Sequence, residues 1–362
     1  MKTGVLTVIP CLNEANTLIP LLHVLLADPM SGLVVVADGG SDDGSQDIVR
    51  AFARINPRVR LLDNPRRKQS AGINLAVAKY GEGFTWLLRV DAHCLYPHRY
   101  AASLLAAADR TEAHCVVVPM HTIGRSAFQR GVAAAQNSVL GTGGSPHRSA
   151  GEGRFVDHGH HALMRLHLFS KVGGYDEQMR ANEDAELDHR MGQAGARIWL
   201  EPQCRIEYLP RRSPGALWRQ YWHYGKGRAQ TVRQHAMRLK LRQALPLAVA
   251  PAVAVVPLAA LWAWIALPAL MWLALCLLGS ILLAAKQRSL SAVLAGPAAA
   301  LMHLAWSGGF WAAFLRGRAI RTKKASDIPP PPANPQDRPP RPHATRPERT
   351  TSASAPKAEA AE

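Results

Sequence analysis

The sequence predicts an α/β fold, with a mostly parallel sheet and helices on both faces, followed by C-terminal transmembrane helices. Strands that are apolar throughout, such as Leu33–Ala37, alternate with amphipathic helices. That alternation is typical of a parallel sheet that is covered on both faces. Two runs without Asp, Glu, Lys or Arg, at 244–285 and 289–315, are long enough to cross a bilayer.

Short runs of branched and aromatic residues between turn-forming residues predict the strands. These strands lie at Val5–Pro10, Leu33–Ala37, Val59–Leu62, Phe84–Arg89, Val116–Pro119, Ile198–Leu200 and Cys204–Leu209. Apolar residues at helical spacing predict the helices between them. These helices lie at Asn16–Leu26, Gln46–Ala53, Ser70–Lys79, Tyr100–Ala108 and Ser126–Leu140. The first three elements make a βαβ unit, so we expect ligands at the carboxyl edge of the sheet.

The composition narrows the class of protein. The 362 residues carry a formal net charge of +17, but no recognisable nucleic-acid motif accompanies the charge. Many cations lie near apolar segments or in the C-terminal tail, which favours an anionic membrane surface as partner and no nucleic acid. The five cysteines form no CxxC pair, which indicates a reducing compartment. The N-terminal VLTVIP run is too short for a signal peptide, so we expect the globular part in the cytosol.

Asp91 and His93 directly follow the predicted strand Phe84–Arg89. A carboxylate and an imidazole one residue apart suit Mn²⁺ or Mg²⁺ when substrate phosphates complete the coordination. The alternative is that Asp91 caps a turn and that His93 packs against its neighbours. The dipeptide by itself does not choose between these interpretations.

Two loops at the same predicted edge offer further ligand-binding groups. Asp38 opens a glycine-rich loop, where a carboxylate can accept hydrogen bonds from a ribose or a base. Lys68 belongs to a cationic loop, 64–69, at the start of a predicted helix, which is a favourable place for a diphosphate. Alternatively, the first is an ordinary βα loop and the second a solvated charged face.

Asn182 is predicted to cap a helix whose first turn contains Glu183 and Asp184. One of these carboxylates is a candidate general base, although acidic residues also favour that turn because of the helix dipole. Upstream, the segment Asp157–His161 suggests zinc, but neighbouring side chains of an extended segment point to opposite faces. We therefore expect one of its histidines to line the substrate site.

The charge-free run 244–285 would make a single helix of about 63 Å, against a hydrocarbon core of about 30 Å. We therefore predict two spans at about 245–285, joined by a tight hairpin near Leu267-Pro268, with basic residues at both flanks in the cytosol. If the third run, 289–315, also crosses, the cations after it lie outside, against the positive-inside rule. That run either crosses against the rule or is re-entrant.

These observations divide the chain into three parts. A globular domain at 1–232 ends in an interfacial segment, in which cations between 211 and 228 accompany the aromatic residues at 218–224. A membrane domain occupies 233–315. The tail, 316–362, is first basic and then rich in proline and alanine, which predicts disorder.

Five segments in this order resemble the signature of family 2 glycosyltransferases, which have the Rossmann-like GT-A fold. The segments are VIPCLNEA, VVVADGGSDDGS, LLRVDAH, GGYDEQM and ANEDAELDHRM. RVDAHCLYP, NEDAELDHR and QYWHYGKGR resemble in particular the membrane-anchored bacterial members that build succinoglycan-type exopolysaccharides. The resemblance covers roughly 5–228.

The resemblance implies roles for individual residues. Pro10, Glu14 and Asp38 would bind the nucleoside of a nucleotide sugar, usually a uridine diphosphate sugar. Asp91 would belong to the metal motif, and Asp184, after Glu183, would be the base of an inverting transfer. Two positions depart from the family pattern: His93 replaces the second aspartate of Asp-x-Asp, and the Gln-x-x-Arg-Trp motif of processive synthases is absent.

The predicted function is an inverting transfer of one sugar from a nucleotide diphosphate sugar to a lipid-linked saccharide acceptor in exopolysaccharide or cell-surface glycan synthesis. The predicted location is the bacterial inner membrane, with the catalytic domain in the cytosol. One alternative is a synthase that loads a sugar onto polyprenyl phosphate. Another is a catalytically silent scaffold, which the joint presence of Asp38, Asp91 and Asp184 disfavours.

Overall fold

The computed structural model describes residues 4–144, 151–179, 181–239 and 241–317. The strands in this part of the chain are β1 Val5–Cys11, β2 Leu33–Asp38, β3 Val59–Asp63, β4 Trp86–Arg89, β5 Cys94–Leu95, β6 Cys115–Val118, β7 Met120–Thr122, β8 Arg154–Phe155, β9 His160–Arg165, β10 Ile198–Leu200 and β11 Ile206–Tyr208. The helices are α1 Ala15–Ala27, α2 Ser45–Ile55, α3 Gln69–Tyr80, α4 Tyr100–Thr111, α5 Ala127–Gln136, α6 Val139–Thr142, α7 Leu166–Lys171, α8 Glu183–Gln193, α9 Pro214–His235, α10 Leu241–Ala244, α11 Val249–Ala254, α12 Leu267–Gln287 and α13 Ala295–Leu315.

Among the described residues, eight strands form one sheet in the order β3-β2-β1-β4-β9-β6-β10-β8. The pairs β2/β3, β1/β2, β1/β4 and β6/β10 are parallel. The strands β9 and β8 run antiparallel to their neighbours. The predicted, mostly parallel α/β sheet is therefore confirmed, and the antiparallel insertion of β9 between β4 and β6 was not foreseen. A smaller sheet has the order β5-β11-β7.

Helices cover both faces of the large sheet, as predicted. Alternate residues of β1 serve opposite faces: Val5 and Ile9 pack under α1 and α4, and Leu6 and Val8 pack with α3, α7 and α8. All four of these side chains are at most 2% exposed. The side chains of a strand alternate between the two faces of its sheet, so an uninterrupted apolar run requires cover on both.

Several predicted boundaries shift. The helix expected at 126–140 is interrupted after Gln136 and resumes as the short α6. Its start was placed correctly, because the hydroxyl of Ser126 accepts the N–H of Gln129, 3.2 Å away, and Gln129 returns the bond in a capping box.

The C-terminal region differs from the predicted pair of spans at 245–285. Residues 245–266 form a series of short helical turns, and Leu267-Pro268 begins the long helix α12 rather than joining two helices. Pro246, Pro251 and Pro257 recur in this segment, and each removes a backbone donor that a continuous helix would use.

The third run forms the long helix α13, preceded by a turn of 3₁₀ helix at Leu290–Leu294. Among the described residues, two helices are long and apolar enough to cross a membrane, Ala263–Gln287 with a mean hydropathy of 2.3 and Leu290–Leu315 with 1.4. The predicted tail lies outside the described residues beyond Gly317.

Candidate active site

The candidate site lies where the parallel strands β1, β2 and β4 end. Cys11 pairs with Asp38 across β1 and β2, and Val8 pairs with Arg89 across β1 and β4. The segments that follow these strands therefore leave the sheet side by side, carrying Glu14, Asp38 and Asp91. The three candidate residues therefore lie at the carboxyl edge of the sheet, where ligands are expected to bind.

Asp91 is 7% exposed and held from several directions. Its Oδ1 accepts a hydrogen bond from Nε2 of Gln69 at 2.6 Å and lies 3.2 Å from Nε of Arg89. Its backbone N–H donates to the hydroxyl of Tyr96 at 2.7 Å, which fixes the turn after the strand. Burial by itself would raise the pKa of Asp91, but the charge of Arg89, the hydrogen bond and charge of His160 and the charge of His93 together outweigh it, so the pKa lies well below its usual range. Asp91 is therefore ionised at neutral pH.

His93 lies at the mouth of the site with its side chain half exposed. Its Nδ1 is 3.2 Å from Oε1 of Glu14, and this hydrogen bond raises the pKa of His93 above its usual value. Asp91, His93 and Cys94 each offer a ligand atom within 4.8 Å of the others. Burial raises the pKa of the Cys94 thiol, so Cys94 is a poor ligand at neutral pH. The carboxylate of Asp91 and the imidazole of His93 remain the candidate ligands for a divalent cation.

Arg89 connects the two halves of the site. Its guanidinium is 3% exposed and forms ion pairs with Asp91, with Glu183 at 3.6 Å and with Asp184, the last also through a hydrogen bond. It also donates to the hydroxyl of Tyr175 at 3.0 Å. A buried cation is stable only with such partners. The sequence analysis missed Arg89, although a lone arginine at the end of an apolar strand was a signal that buried carboxylates lie nearby.

Glu183 and Asp184 lie in the first turn of α8, as predicted. Oδ1 of Asp184 accepts the hydroxyl of Tyr175 at 2.9 Å, and Oδ2 faces Nδ1 of His160 at 3.9 Å. Burial, and then the neighbouring charge of Asp184, raise the pKa of Glu183. The two adjacent carboxyl groups thus occupy different environments, which is typical of acid–base sites.

Asn182 occupies the N-cap position of α8, as predicted, but its side chain does not cap the helix. Its backbone has φ of 61° and its side chain makes no capping hydrogen bond. Its Nδ2 instead donates to the carbonyl of Tyr224 at 2.6 Å. The left-handed backbone turns the side chain toward α9, so Asn182 ties the start of α8 to that helix.

His160 was one of several histidines left open by the sequence. As the first residue of β9 it places Nε2 3.4 Å from Oδ2 of Asp91. It therefore reaches both Asp91 and Asp184. The alternation of side chains on an extended segment indicated that one histidine would point inward, but only the antiparallel pairing of β9 with β4 selects which.

The carboxylate of Asp38 is buried and engaged within its own loop. It accepts the N–H groups of Gly40 and Ser41 at 2.9 and 3.0 Å, the hydroxyl of Ser41 at 2.5 Å and the amide of Gln46 at 2.8 Å. These bonds hold the glycine-rich loop in shape. Pro10 lies on the neighbouring strand, paired with Ala37.

Lys68 lies at the start of α3 with its side chain exposed. Its Nζ donates to the carbonyl of Glu177 at 2.6 Å, and Arg66 bonds the carboxylate of the same residue. The loop is thus tied to the turn that also contains Tyr175, and this contact brings the cations to one side of the site.

The arrangement defines a class of protein. A mixed sheet with helices on both faces carries a glycine-rich loop, an Asp-x-His pair and a carboxylate on α8 at one edge, and this is the fold of a GT-A glycosyltransferase. A solved structure, the mannosyltransferase PcManGT from Pyrobaculum calidifontis in complex with GDP-Man and Mn²⁺, shares the fold with a TM-score of 0.54 and 20% identity, over 84% of this chain and 88% of that one.

The family is shown by sequence. The family described as "Glycosyl transferase family 2" matches residues 7–173. The chain is also similar to the "Succinoglycan biosynthesis protein ExoA" of Rhizobium meliloti, with 49% identity over 317 residues, which is 87% of this chain and 96% of the relative. The chain belongs to glycosyltransferase family 2, which confirms the predicted fold and enzyme class.

Proposed function

We propose that this glycosyltransferase moves one sugar from a nucleotide diphosphate sugar, a uridine diphosphate sugar in the first instance, to a lipid-linked saccharide acceptor in exopolysaccharide synthesis. The observation that carries the proposal is the single cluster of Asp91, Arg89, Asp184 and His160, which places a metal-capable carboxylate beside a candidate base. The similarity to a succinoglycan biosynthesis protein supports the class of product.

Each residue has a proposed part in an inverting transfer. Asp184 removes the proton of the acceptor hydroxyl while the oxygen of that hydroxyl attacks the anomeric carbon of the donor sugar. The bond from the anomeric carbon to the diphosphate breaks in the same step. Arg89 and Tyr175 hold the Asp184 carboxylate in place. The raised pKa of Glu183 leaves Asp184 as the stronger candidate for an ionised base.

The donor is proposed to lie along the sheet edge. Pro10, Glu14 and Asp38 contact the nucleoside, and Lys68 faces the diphosphate. For Asp38 this requires exchanging one of its present hydrogen bonds within the loop for a bond to the nucleoside. When bound at Asp91 and His93, Mn²⁺ or Mg²⁺ would neutralise charge on the leaving diphosphate.

The proposed location is the bacterial inner membrane, with the catalytic domain at 1–232 in the cytosol, a membrane-binding region at 233–315 and a tail at 316–362. Confining the enzyme and a lipid-linked acceptor to one surface raises their effective concentration, which explains why a transferase of this kind would carry apolar helices.

The test is sugar transfer by the full-length protein in membranes, with a panel of uridine diphosphate sugars and Mn²⁺, Mg²⁺ or a chelator. We expect one donor to release uridine diphosphate in a metal-dependent manner. Asp184→Asn should lower the rate at least about 100-fold, the usual contribution of a general base, with nucleotide binding retained. Asp109→Asn, an exposed position on α4, is the matched control and should keep the wild-type rate.

The acceptor decides between related activities. Transfer to a polyprenyl diphosphate that already carries a sugar supports the proposal, and transfer only to bare polyprenyl phosphate would assign a synthase instead. Nucleotide binding without turnover of any donor would point to a scaffold and reject the catalytic role of Asp184.

A further inference from the structure

The helix α13 is a core helix of the described molecule. Ala295, Ala299, Met302 and Ala305 are fully buried, and its first half joins one apolar cluster with residues of α5 and α9. We compare the most apolar 18-residue stretch of each candidate span. In Leu290–Leu315, 44% of that stretch is buried inside the protein, and in Ala263–Gln287 only 17% is buried. A lone membrane span would present its side chains to lipid, so α13 does not have the surroundings of one.

Backbone contacts bind α13 to the catalytic domain along its length. A Cβ placed on Gly225 of α9 would lie 2.0 Å from the carbonyl oxygen of Trp306, and one on Gly309 would lie 2.1 Å from that of Trp222. Near the other end, Nε of Arg130 donates to Ser291 at 3.2 Å. Ser291 lies in the 3₁₀ turn that precedes α13, so within α13 the packed stretch runs from the buried Ala295 to Gly309, about 21 Å of helix.

The partners of α13 are unsuited to the membrane interior. Along the contact, α9 carries Arg219, Lys226 and Arg228, and α5 carries Arg130 beside two buried glutamines. Charged side chains at the centre of a bilayer cost several kcal/mol each. Since α13 lies beside these helices over its whole length, it cannot cross a bilayer without taking them along.

The remaining apolar segments are fastened to α13 as well. Trp272 of α12 donates to His303 at 3.3 Å, and a Cβ on Gly296 would lie 2.7 Å from the carbonyl oxygen of Cys276, so α12 runs back along α13. At the far end, Ser307 and Trp311 both donate to the carbonyl of Leu247, at 2.9 and 2.8 Å. The helix α12 and the segment around Leu247 are therefore fastened to α13, which itself packs on α9.

We infer that the C-terminal region binds one leaflet of a lipid bilayer as a monotopic surface, and that neither α12 nor α13 crosses. The lipid-facing surface is formed by exposed apolar side chains of residues 258–282. They include Leu258, Leu261, Trp262, Trp264, Leu270, Met271, Leu275, Leu278, Ile281 and Leu282. Lys286 and Arg288 end this surface with positive charge, which matches anionic head groups, and tryptophans favour the interface.

This arrangement removes the conflict with the positive-inside rule. With α13 docked on the catalytic domain, Arg316 at its C-terminal end remains on the side of the active site. The inference concerns topology and does not depend on which sugar is transferred.

The test uses single cysteines introduced into the full-length protein and a membrane-impermeant maleimide, applied to right-side-out spheroplasts and to inverted vesicles. The five native cysteines are buried, so background labelling is low. Arg316→Cys reports the end of α13, Trp264→Cys reports the start of α12, and Ala51→Cys on the exposed face of α2 marks the side of the catalytic domain.

We expect Arg316→Cys to be labelled from the same side as Ala51→Cys, and Trp264→Cys to be unlabelled from the opposite side. Labelling of Arg316→Cys from the opposite side would show that α13 crosses. Labelling of Trp264→Cys from that side would show that α12 crosses, and either result overturns the inference.

Vesicle flotation distinguishes lipid from a second copy of the chain as occupant of the surface. The protein should float with vesicles that contain phosphatidylglycerol, and Trp264→Asp should reduce the bound fraction several-fold. Glu82→Gln, an exposed change remote from this surface in sequence, should leave binding unchanged. A discrete dimer in the absence of lipid, with no flotation, would assign the surface to self-association and refute the inference.

Discussion

Arg89 is the residue on which the electrostatics of the site depend. Three carboxyl groups, on Asp91, Glu183 and Asp184, surround one guanidinium that is 3% exposed. Without that charge, burial and mutual repulsion would favour protonation of the carboxyl groups. The ion pairs of the candidate site therefore also form a stabilising contact between β4 and α8.

Arg89→Met keeps most of the side-chain volume and removes the charge. We expect destabilisation by about 3–5 kcal/mol, because a buried pair has lost one partner. The low pKa of Asp91 depends on Arg89, so the pKa should rise in the variant and the acidic limb of the pH–rate profile should move to higher pH. Denaturant unfolding and initial rates across pH measure the two effects.

Arg165→Met is the control, since the guanidinium of Arg165 lies over the ring of Trp86, 4.0 Å from its centroid, at the other end of β4. It should leave the pH–rate profile unchanged. A wild-type profile for Arg89→Met would remove the proposed electrostatic role.

At the scale of elements, α8 and α9 are joined by a buried ionic contact. Glu186 is fully buried and accepts hydrogen bonds from Arg190 at 2.6 and 2.7 Å and from His235 at 2.9 Å. Burial by itself would raise the pKa of Glu186, but its bonds to His235 and Arg190 outweigh it and lower the pKa below 4.5. This contact fixes the helix that carries Asp184 against α9.

Glu186→Gln should destabilise the protein by about 3 kcal/mol at neutral pH, since it removes the charge from a buried pair. A carboxyl group with a lowered folded-state pKa contributes stability above its unfolded value of 4.5 and loses it as pH falls through the folded value. The difference from wild type should therefore shrink below about pH 4.5. Urea unfolding at several pH values measures this difference in unfolding free energy, with Glu82→Gln as an exposed control. A difference between wild type and Glu186→Gln that stays constant down to pH 3 would contradict the stabilising role of the ionised Glu186.

At the scale of the whole molecule, α9 lies between the apolar C-terminal helices and the catalytic residues. Gly225 contacts the backbone of α13, and a Cβ on Gly227 would lie 2.2 Å from the carbonyl oxygen of Ala181, just before α8. Glycine is required at both positions by close approach of two backbones. A displacement of α13 would thus be transmitted to the start of the catalytic helix.

Gly309→Ala tests this coupling, because its Cβ would meet the carbonyl oxygen of Trp222 at 2.1 Å. Overpacking of this kind costs about 1–3 kcal/mol, and we expect lower thermal stability together with slower sugar transfer. Gly192→Ala on α8 meets no atom within 4 Å and should be neutral in both assays. Equal behaviour of the two variants would show that the α9–α13 contact is looser than described.

The sequence by itself determined the layered sheet and the edge at which the site lies, because apolar strands need cover on both faces and parallel strands end together. It also placed Asp91 and His93 at that edge, and Glu183 and Asp184 in the first turn of a helix. The prolines of 245–266 also indicated that this segment would not form a continuous helix, because each removes a backbone hydrogen-bond donor. The prediction of a membrane span there followed the hydropathy of the segment instead.

Only the tertiary structure decided which distant groups meet. Arg89 and Asp184 are 95 positions apart, and no local pattern specifies their contact. His160 enters the site because β9 inserts antiparallel between β4 and β6, a pairing set by long-range packing. Hydropathy by itself describes α13 as a membrane span. The glycines and alanines of α13 allow it to pack closely on α9, which makes it a core helix. The sequence does not show which helix these small residues contact, so only the tertiary structure identifies that partner.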